Sequence, residues 1–280
     1  MSTSRIVSPT LALSAVCALL AFAGCNRPAA HVPAADKGLP IERILKAGEL
    51  RVGTSADSPP LTVHDRDGKL MGLEIDLVQA LGDTMNVKVR FVEMPFAELI
   101  PALERGDIDL AVAGMTITPE RNARVAFAGP YFVSGNTLLS HKRELAEAQD
   151  AAQLDDPKLS FAVLKGSTSE AFARAHLSKA KLVAVPDNDA GVKALLAGEV
   201  DGMISDLQVC TVARLRHPDA ELHLRFAPLT TEPLGIAVAP DSMLFLNLVT
   251  NYLTTLEETG QLAQLKAKWL GGSEWLERLP

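Results

Sequence analysis

Leu103-Glu104-Arg105-Gly106-Asp107-Ile108-Asp109 and Leu195-Leu196-Ala197-Gly198-Glu199-Val200-Asp201 share one pattern, Leu-x-x-Gly-acid-branched-Asp. Each reads as a helix end, a glycine turn and the start of a strand. Such turns are common in α/β proteins, so the match alone is weak; its use is geometric. Gly114 lies five residues past Asp109, and Asp206 lies five past Asp201. Both positions therefore fall at the carboxyl ends of equivalent strands, where open α/β sheets place their ligands. The repeat implies two lobes that face each other, with the Gly114 turn on one wall and Asp206 on the other.

Around the first copy, the apolar run Ile108 to Ala113 reads as a strand and leads into Gly114-Met115-Thr116-Ile117-Thr118-Pro119-Glu120-Arg121. Thr118 is a good N-cap, Pro119 suits the first helical position and Glu120 suits the first turn. Free backbone N–H groups at a helix start attract anions, and the fork of Arg121 can grip a carboxylate through two bonds. Gly114, the Thr116 hydroxyl and Arg121 make a seat for a carboxylate ligand. The competing reading is a capped helix with a solvated arginine. Around the second copy, Asp206 closes the apolar strand Gly202 to Ser205 and precedes a helical stretch. It suits a ligand ammonium, or it serves as an ordinary N-cap. Coupled through the repeat, Arg121 and Asp206 match the two charges of a zwitterion.

The rest of the chain alternates in the same way. Leu50 to Gly53 is a strand broken by Ser58-Pro59-Pro60, and Gly72 precedes a helix with Ile75, Val78, Leu81 and Met85 on one face. Val87 to Val92 is a strand, and Phe96 to Glu104 is a helix stopped by Gly106. A second series runs from Ser160 to Ser205, a long helix follows from about Met243 to Glu258, and a last helix runs from Gln261 to Leu270. The alternation predicts an α/β fold with mostly parallel sheets. Lys165-Gly166-Ser167-Thr168 is a strand-to-helix loop in which Ser167 and Thr168 either reach the ligand or only cap a helix. Asp57 either lines the pocket or holds its own turn; Glu74 either lines it or is a first-turn acid. Phe96 either packs on the ligand or belongs to the core.

Composition narrows the function classes. A net charge of −7 with only 5% aromatic residues argues against nucleic acid as a partner. The six histidines, at 31, 64, 141, 176, 217 and 223, show no metal-ligand spacing, and no cofactor is expected. There is no nucleophile elbow, Walker segment or dinucleotide fingerprint. Residues 1–24 carry Arg5, an apolar stretch from Leu11 to Phe22 and small residues before Cys25. They resemble a bacterial lipoprotein signal, in which Cys25 becomes the lipidated N-terminus. The alternative is ordinary secretory cleavage near Ala23. Removing the segment takes away Arg5 and no acid, so −7 becomes −8. Residues 25–40, rich in Ala and Pro, read as a tether. Asn26, in place of the Asp of the inner-membrane retention pattern, points to an outer-membrane position where the host has one. Cys17 falls in the signal, so Cys210 has no disulfide partner and reads as a core position on a helix.

At this point the chain resembles the extracytoplasmic solute-binding proteins of the polar amino acid type, family 3, partners of ABC importers. The likeness is carried by Leu50-Arg51-Val52-Gly53-Thr54, Ala56 to Pro60, Gly72 to Leu77, Leu99 to Leu103, Gly114 to Arg121, Phe127 to Tyr131, Gly166 to Thr168 and Ser205-Asp206. The resemblance implies the type II periplasmic-binding-protein fold, two α/β lobes joined by two crossover strands with the ligand cleft between them. Lobe 1 would comprise 41–138 and 232–280, lobe 2 would comprise 139–231, and the crossovers would lie near Thr137 to His141 and Pro228 to Gly235. It further implies a monomer that binds a small amino acid and delivers it to an inner-membrane ABC permease. Arg121, Thr116, the Gly114 region and Thr168 would hold the α-carboxylate, Asp206 the α-ammonium, and Phe96 would stand against the side chain. The family often has Asp-Tyr-Pro-Pro-Phe where this chain has Asp57-Ser58-Pro59-Pro60-Leu61, so the usual covering aromatic is Ser58. The acid that some basic-amino-acid binders carry two residues before Asp57 is Ser55. The rival reading is a cyclohexadienyl (arogenate or prephenate) dehydratase on the same fold. Phe172 to Ala175 and Pro186-Asp187-Asn188 are similar to those enzymes, but their catalytic carboxyl position is Val209 here, which cannot transfer a proton.

Overall fold

The computed structural model describes residues 39–280; the expected signal, Cys25 and all but the end of the tether lie outside the described residues. The described chain enters through α1 (Pro40–Ala47) and β1 (Glu49–Thr54), then forms a small antiparallel sheet from β2 (Asp57–Ser58), β3 (Thr62–His64) and β4 (Leu70–Met71). It continues through α2 (Leu73–Met85), β5 (Lys88–Glu93), α3 (Leu99–Arg105), β6 (Leu110–Ala111), the single turn α4 (Pro119–Asn122) and the long β7 (Ala126–Ser134). A second series comprises β8 (Asn136–Ser140), α5 (Arg143–Ala146), β9 (Ser160–Leu164), α6 (Thr168–His176), β10 (Lys181–Val185), α7 (Asn188–Leu196), β11 (Gly202–Asp206), α8 (Leu207–Arg216) and β12 (His223–Leu224). β13 (Glu232–Val238), α9 (Met243–Glu258) and α10 (Gln261–Lys266) complete the chain's main elements.

Two five-stranded sheets result, ordered β5-β1-β6-β13-β7 and β10-β9-β11-β8-β12. Each begins with three parallel strands and ends with antiparallel ones. Both faces of each sheet are covered. In the first, Leu110 and Val112 enter one apolar cluster while Ala111 and Ala113 enter the other. In the second, Ala162 and Met203 pack on one side, Phe161, Val163 and Ile204 on the opposite side. This is the period-two alternation of a strand buried on both faces.

The repeated motif occupies equivalent places, leading into β6 and β11, and its glycines close α3 and α7 with left-handed φ values of 74° and 69°. Its last residue does structural work in both copies. Asp109 donates its N–H to Arg51 O (2.8 Å) and accepts the Arg51 N–H on Oδ2 (2.9 Å). Asp201 does the same with Ser160, at 2.9 and 2.8 Å. Each aspartate thus ties the start of a central strand to its parallel neighbour. Asp109 is 3% exposed and also holds the guanidinium groups of Arg51 and Arg43. Asp109→Ala leaves both cations and an N–H without their acceptor. It is expected to lower unfolding stability by about 3 kcal/mol, a fall of roughly 6–12 °C in Tm, measurable by chemical and thermal denaturation.

The first of the two passages between the sheets lies upstream of the expected segment, while the second falls between β12 and β13. Thr137 to Ser140 do not cross between lobes; they belong to β8, which pairs with β11 from Asn136↔Asp206 to Ser140↔Gly202. The boundary expected after residue 138 therefore falls inside β8, because the apolar run there is a full strand of the second sheet. The chain crosses at Gly135. A Cβ there would stand 2.4 Å from Thr230 O and 2.5 Å from Pro228 Cβ, so only glycine lets the two crossing segments pass this closely. The last helix expected from Gln261 to Leu270 is α-helical only to Lys266, and a π turn covers Ala267–Gly271. No described helix is long and apolar enough to cross a membrane.

Candidate interlobe site

The first wall grows from the end of β6. The chain turns at Gly114, whose φ is +61° and whose N–H donates to Glu74 Oε1 at 2.9 Å. A Cβ on Gly114 would meet Leu61 Cδ1 at 3.2 Å and Ser58 Oγ at 3.3 Å. Thr118 caps α4 by accepting the Arg121 N–H at 3.2 Å, as its sequence suggests. That turn delivers Arg121, whose Nη1 donates to Thr116 O at 2.9 Å and whose guanidinium carbon lies 5.3 Å from the centre of the Phe96 ring. Among the described residues no carboxylate forms an ion pair with Arg121. Burial draws its pKa down, with Glu232 and Asp206 opposing.

The second wall grows from the ends of β9 and β11. Ser167 caps α6, accepting the Glu170 N–H at 3.1 Å and donating to Leu164 O at 2.7 Å. Thr168 Oγ1 lies 3.4 Å from Thr116 Oγ1 on the opposite wall. Asp206 stands at the N-cap position of α8 but makes no side-chain cap bond, and it accepts no other side-chain hydrogen bond among the described residues. Its carboxyl is pushed up to about 7 by burial and by repulsion from Glu232, with Arg121 pulling the other way. The ordinary capping role considered for it is therefore unfilled.

The walls meet. Arg121 Nη2 donates to Gly166 O at 3.2 Å across the cleft. Asp57 Oδ2 accepts the Asn188 N–H at 2.8 Å, and Asn188 Nδ2 donates to Asp57 O at 3.3 Å. Asn188 Oδ1 in turn accepts from Ser205 Oγ at 2.8 Å, next to Asp206. The hollow between them is nearly filled, with about 10 Å³ open to a water-sized sphere, so the two walls stand close together. A larger hollow, about 260 Å³ by the same measure, opens beyond Asp57 and Asn188, against α7 and α8, and includes neither Arg121 nor Asp206.

Asp57, Phe96, Gly114, Thr116, Arg121, Ser167, Thr168 and Asp206 all line the smaller hollow. Glu74 does not. It is fully buried behind the Gly114 turn, holding the Gly114 N–H and the Tyr131 hydroxyl, because the first turn of α2 packs beneath that turn rather than beside the cleft. Burial raises its carboxyl to about 7, against these two donors. Asn188 and Ser169 complete the wall and were not singled out as ligand residues from sequence. Asn188 had a readable signal, since it follows a strand and the cap residue Asp187 just as Arg121 follows a strand end and its cap.

Comparison with known proteins agrees with this architecture. Residues 50–272 match the model of the bacterial extracellular solute-binding proteins, family 3. The chain belongs to that family, and its fold is that of the type II periplasmic binding proteins. A cyclohexadienyl dehydratase of Pseudomonas aeruginosa is 29% identical over 234 residues, covering 82% of this chain and 85% of the enzyme. A probable histidine-binding protein of Neisseria gonorrhoeae is 27% identical and covers 96% of each chain. Among solved structures, the putative binding component of an ABC transporter from Wolinella succinogenes, complexed with lysine, is 32% identical. Its TM-score is 0.77, with 82% of this chain and 99% of that chain covered. An ancestral amino acid-binding protein, described as a precursor of cyclohexadienyl dehydratase, is 34% identical with a TM-score of 0.74, covering 82% and 98%.

Proposed function

We propose that this chain captures a small polar amino acid between its two lobes and presents it to an ABC permease, making and breaking no bond. One observation carries the reading: Arg121 and Asp206 line opposite walls of one hollow, and neither has an ion-pair partner among the described residues. In this reading Arg121, Thr116, Thr168 and the Gly114 turn hold the α-carboxylate and Asp206 holds the α-ammonium. Phe96, already beneath the guanidinium, packs against the ligand, and Ser167 fixes the loop that carries Thr168. Lobe 1 is assigned residues 41 to about 135 and 232–280, and lobe 2 the segment between them. Cys25 lipidation, with anchoring of a monomer outside the cytoplasm, extends the reading; unchanged membrane fractionation of Cys25→Ser would remove it.

A second reading, a cyclohexadienyl dehydratase, draws on the similarity to the Pseudomonas enzyme and on two acids held near neutrality, Asp206 and Glu74. Burial of a carboxylate that awaits an ammonium accounts for the first, and Glu74 lies outside the hollow. Val209, at the position of the enzymes' carboxyl, is buried and apolar. A thermal-shift screen with amino acids, prephenate and arogenate separates the two. A bound amino acid at a hundred times its Kd should raise Tm by about 5–10 °C. Turnover of prephenate or arogenate would reverse the assignment.

A further inference from the structure

We propose that the captured amino acid carries a cationic side chain and that the free carboxylate oxygen of Asp57 receives it. This rests on the reading of the cleft as an amino acid site. In that reading Arg121 and Asp206 serve the ligand's own carboxylate and ammonium, one charge against one. The wall then holds one further charged group, Asp57, only 7% exposed. Its Oδ2 is occupied by the Asn188 N–H, but Oδ1 is buried and has no hydrogen-bond partner among the described residues. The Ser55 hydroxyl is near enough to steady the charge yet makes no hydrogen bond of its own. A buried carboxylate oxygen left in this state is costly, and the natural remedy is a donor that arrives with the ligand.

The surroundings fix the sign of that donor. No cation of the described chain forms an ion pair with Asp57, and no lysine or second arginine lines this hollow. Burial holds its carboxyl above the usual range, and Asp187 and Asp189, flanking Asn188 at the start of α7, add a smaller push in the same direction. Two further carboxyl groups are buried nearby, Glu74 behind the Gly114 turn and Glu232 at the start of β13. A ligand with a neutral side chain leaves this excess of acid uncompensated; an ammonium, guanidinium or imidazolium relieves it. Ser58 stands beside Asp57 against the Gly114 turn, a small side chain where an aromatic would occupy the space.

The test uses pairs of ligands matched in shape and differing in charge, L-arginine with L-citrulline and L-lysine with L-norleucine, titrated calorimetrically into the purified, ligand-stripped protein. At least one cationic member is expected to bind about tenfold to a hundredfold more tightly than its neutral counterpart. Asp57→Asn should remove most of that advantage, lowering the cationic ligand's affinity by about tenfold or more beyond whatever loss the neutral ligand shows. Equal binding within both pairs of the wild-type chain overturns the inference and leaves the amino acid site standing. An equal loss for both members in Asp57→Asn also overturns it, because Asp57 would then act only as the tie between lobes. If no amino acid binds, the cleft reading itself fails and this inference with it.

Discussion

Arg121→Ala binds its amino acid two to four decades more weakly than the parent chain. The expectation follows from where the guanidinium stands. It is partly drawn out of water, it touches two backbone carbonyls and the face of Phe96, and among the described residues it has no carboxylate of its own. A ligand carboxylate supplies the missing charge. Once the lobes have closed on the ligand, removing the cation leaves that carboxylate desolvated and unpaired, at a cost of about 3–5 kcal/mol, which is roughly two to four powers of ten in Kd. Arg121→Lys keeps the charge but loses the planar fork, so it cannot hold Thr116 O, Gly166 O and a carboxylate together; its affinity should fall between the two. The ligand-free protein should melt close to the parent, since an unpaired, partly desolvated cation contributes little to folding. Calorimetry and melting curves on the same preparations check both statements. Parent-like binding by Arg121→Ala would remove Arg121 from the site.

The repeat and the strand-end logic made the lobes and the two charged poles readable, because parallel strands, glycine-capped helices and apolar periodicity are local signals. Asp109 and Asp201 were legible as a motif but not as ties between strands, since a bond to the neighbouring strand is a tertiary fact. Ile108 to Ala113 reads as a strand six residues long, yet only Leu110–Ala111 enters the ladder. The chain then leaves the sheet to form the Gly114 turn, as site-bearing segments often must. The same competition shortened the helix at Thr118 to one turn: its caps are correct, but β7 claims the following residues. Glu74 looked like a pocket residue because it begins a helix near the first strand; whether such an acid faces a cleft or supports the turn behind it depends on packing depth. Asp57 and Asn188, far apart in sequence and adjacent in space, could not be paired from spacing at all.

Ligand affinity should rise with pH up to about 7 and then level off. The cause is Asp206. In the ligand-free protein burial and Glu232 hold its carboxyl at about 7, so below neutrality it carries a proton. A ligand ammonium favours the ionised form, so binding expels that proton. Below pH 7 the affinity therefore gains up to about tenfold per pH unit as the medium takes the proton more readily, and above it the dependence vanishes. At pH 6, titrations in two buffers of different ionisation enthalpy should show about one proton released per ligand bound. Folding stability runs the other way. Asp206 and Glu74 both have folded values raised to about 7, so between the ordinary carboxylate range and neutrality the folded chain retains protons that the unfolded chain has released. The free protein therefore loses stability as pH rises through that window and is flat beyond it. Ligand relieves the Asp206 share only, since Glu74 lies behind the wall. Asp206→Asn separates the two acids: it should weaken binding, abolish proton release and leave the Glu74 part of the stability slope intact. Undiminished proton release in that variant would transfer the titration to another group and detach Asp206 from the ammonium.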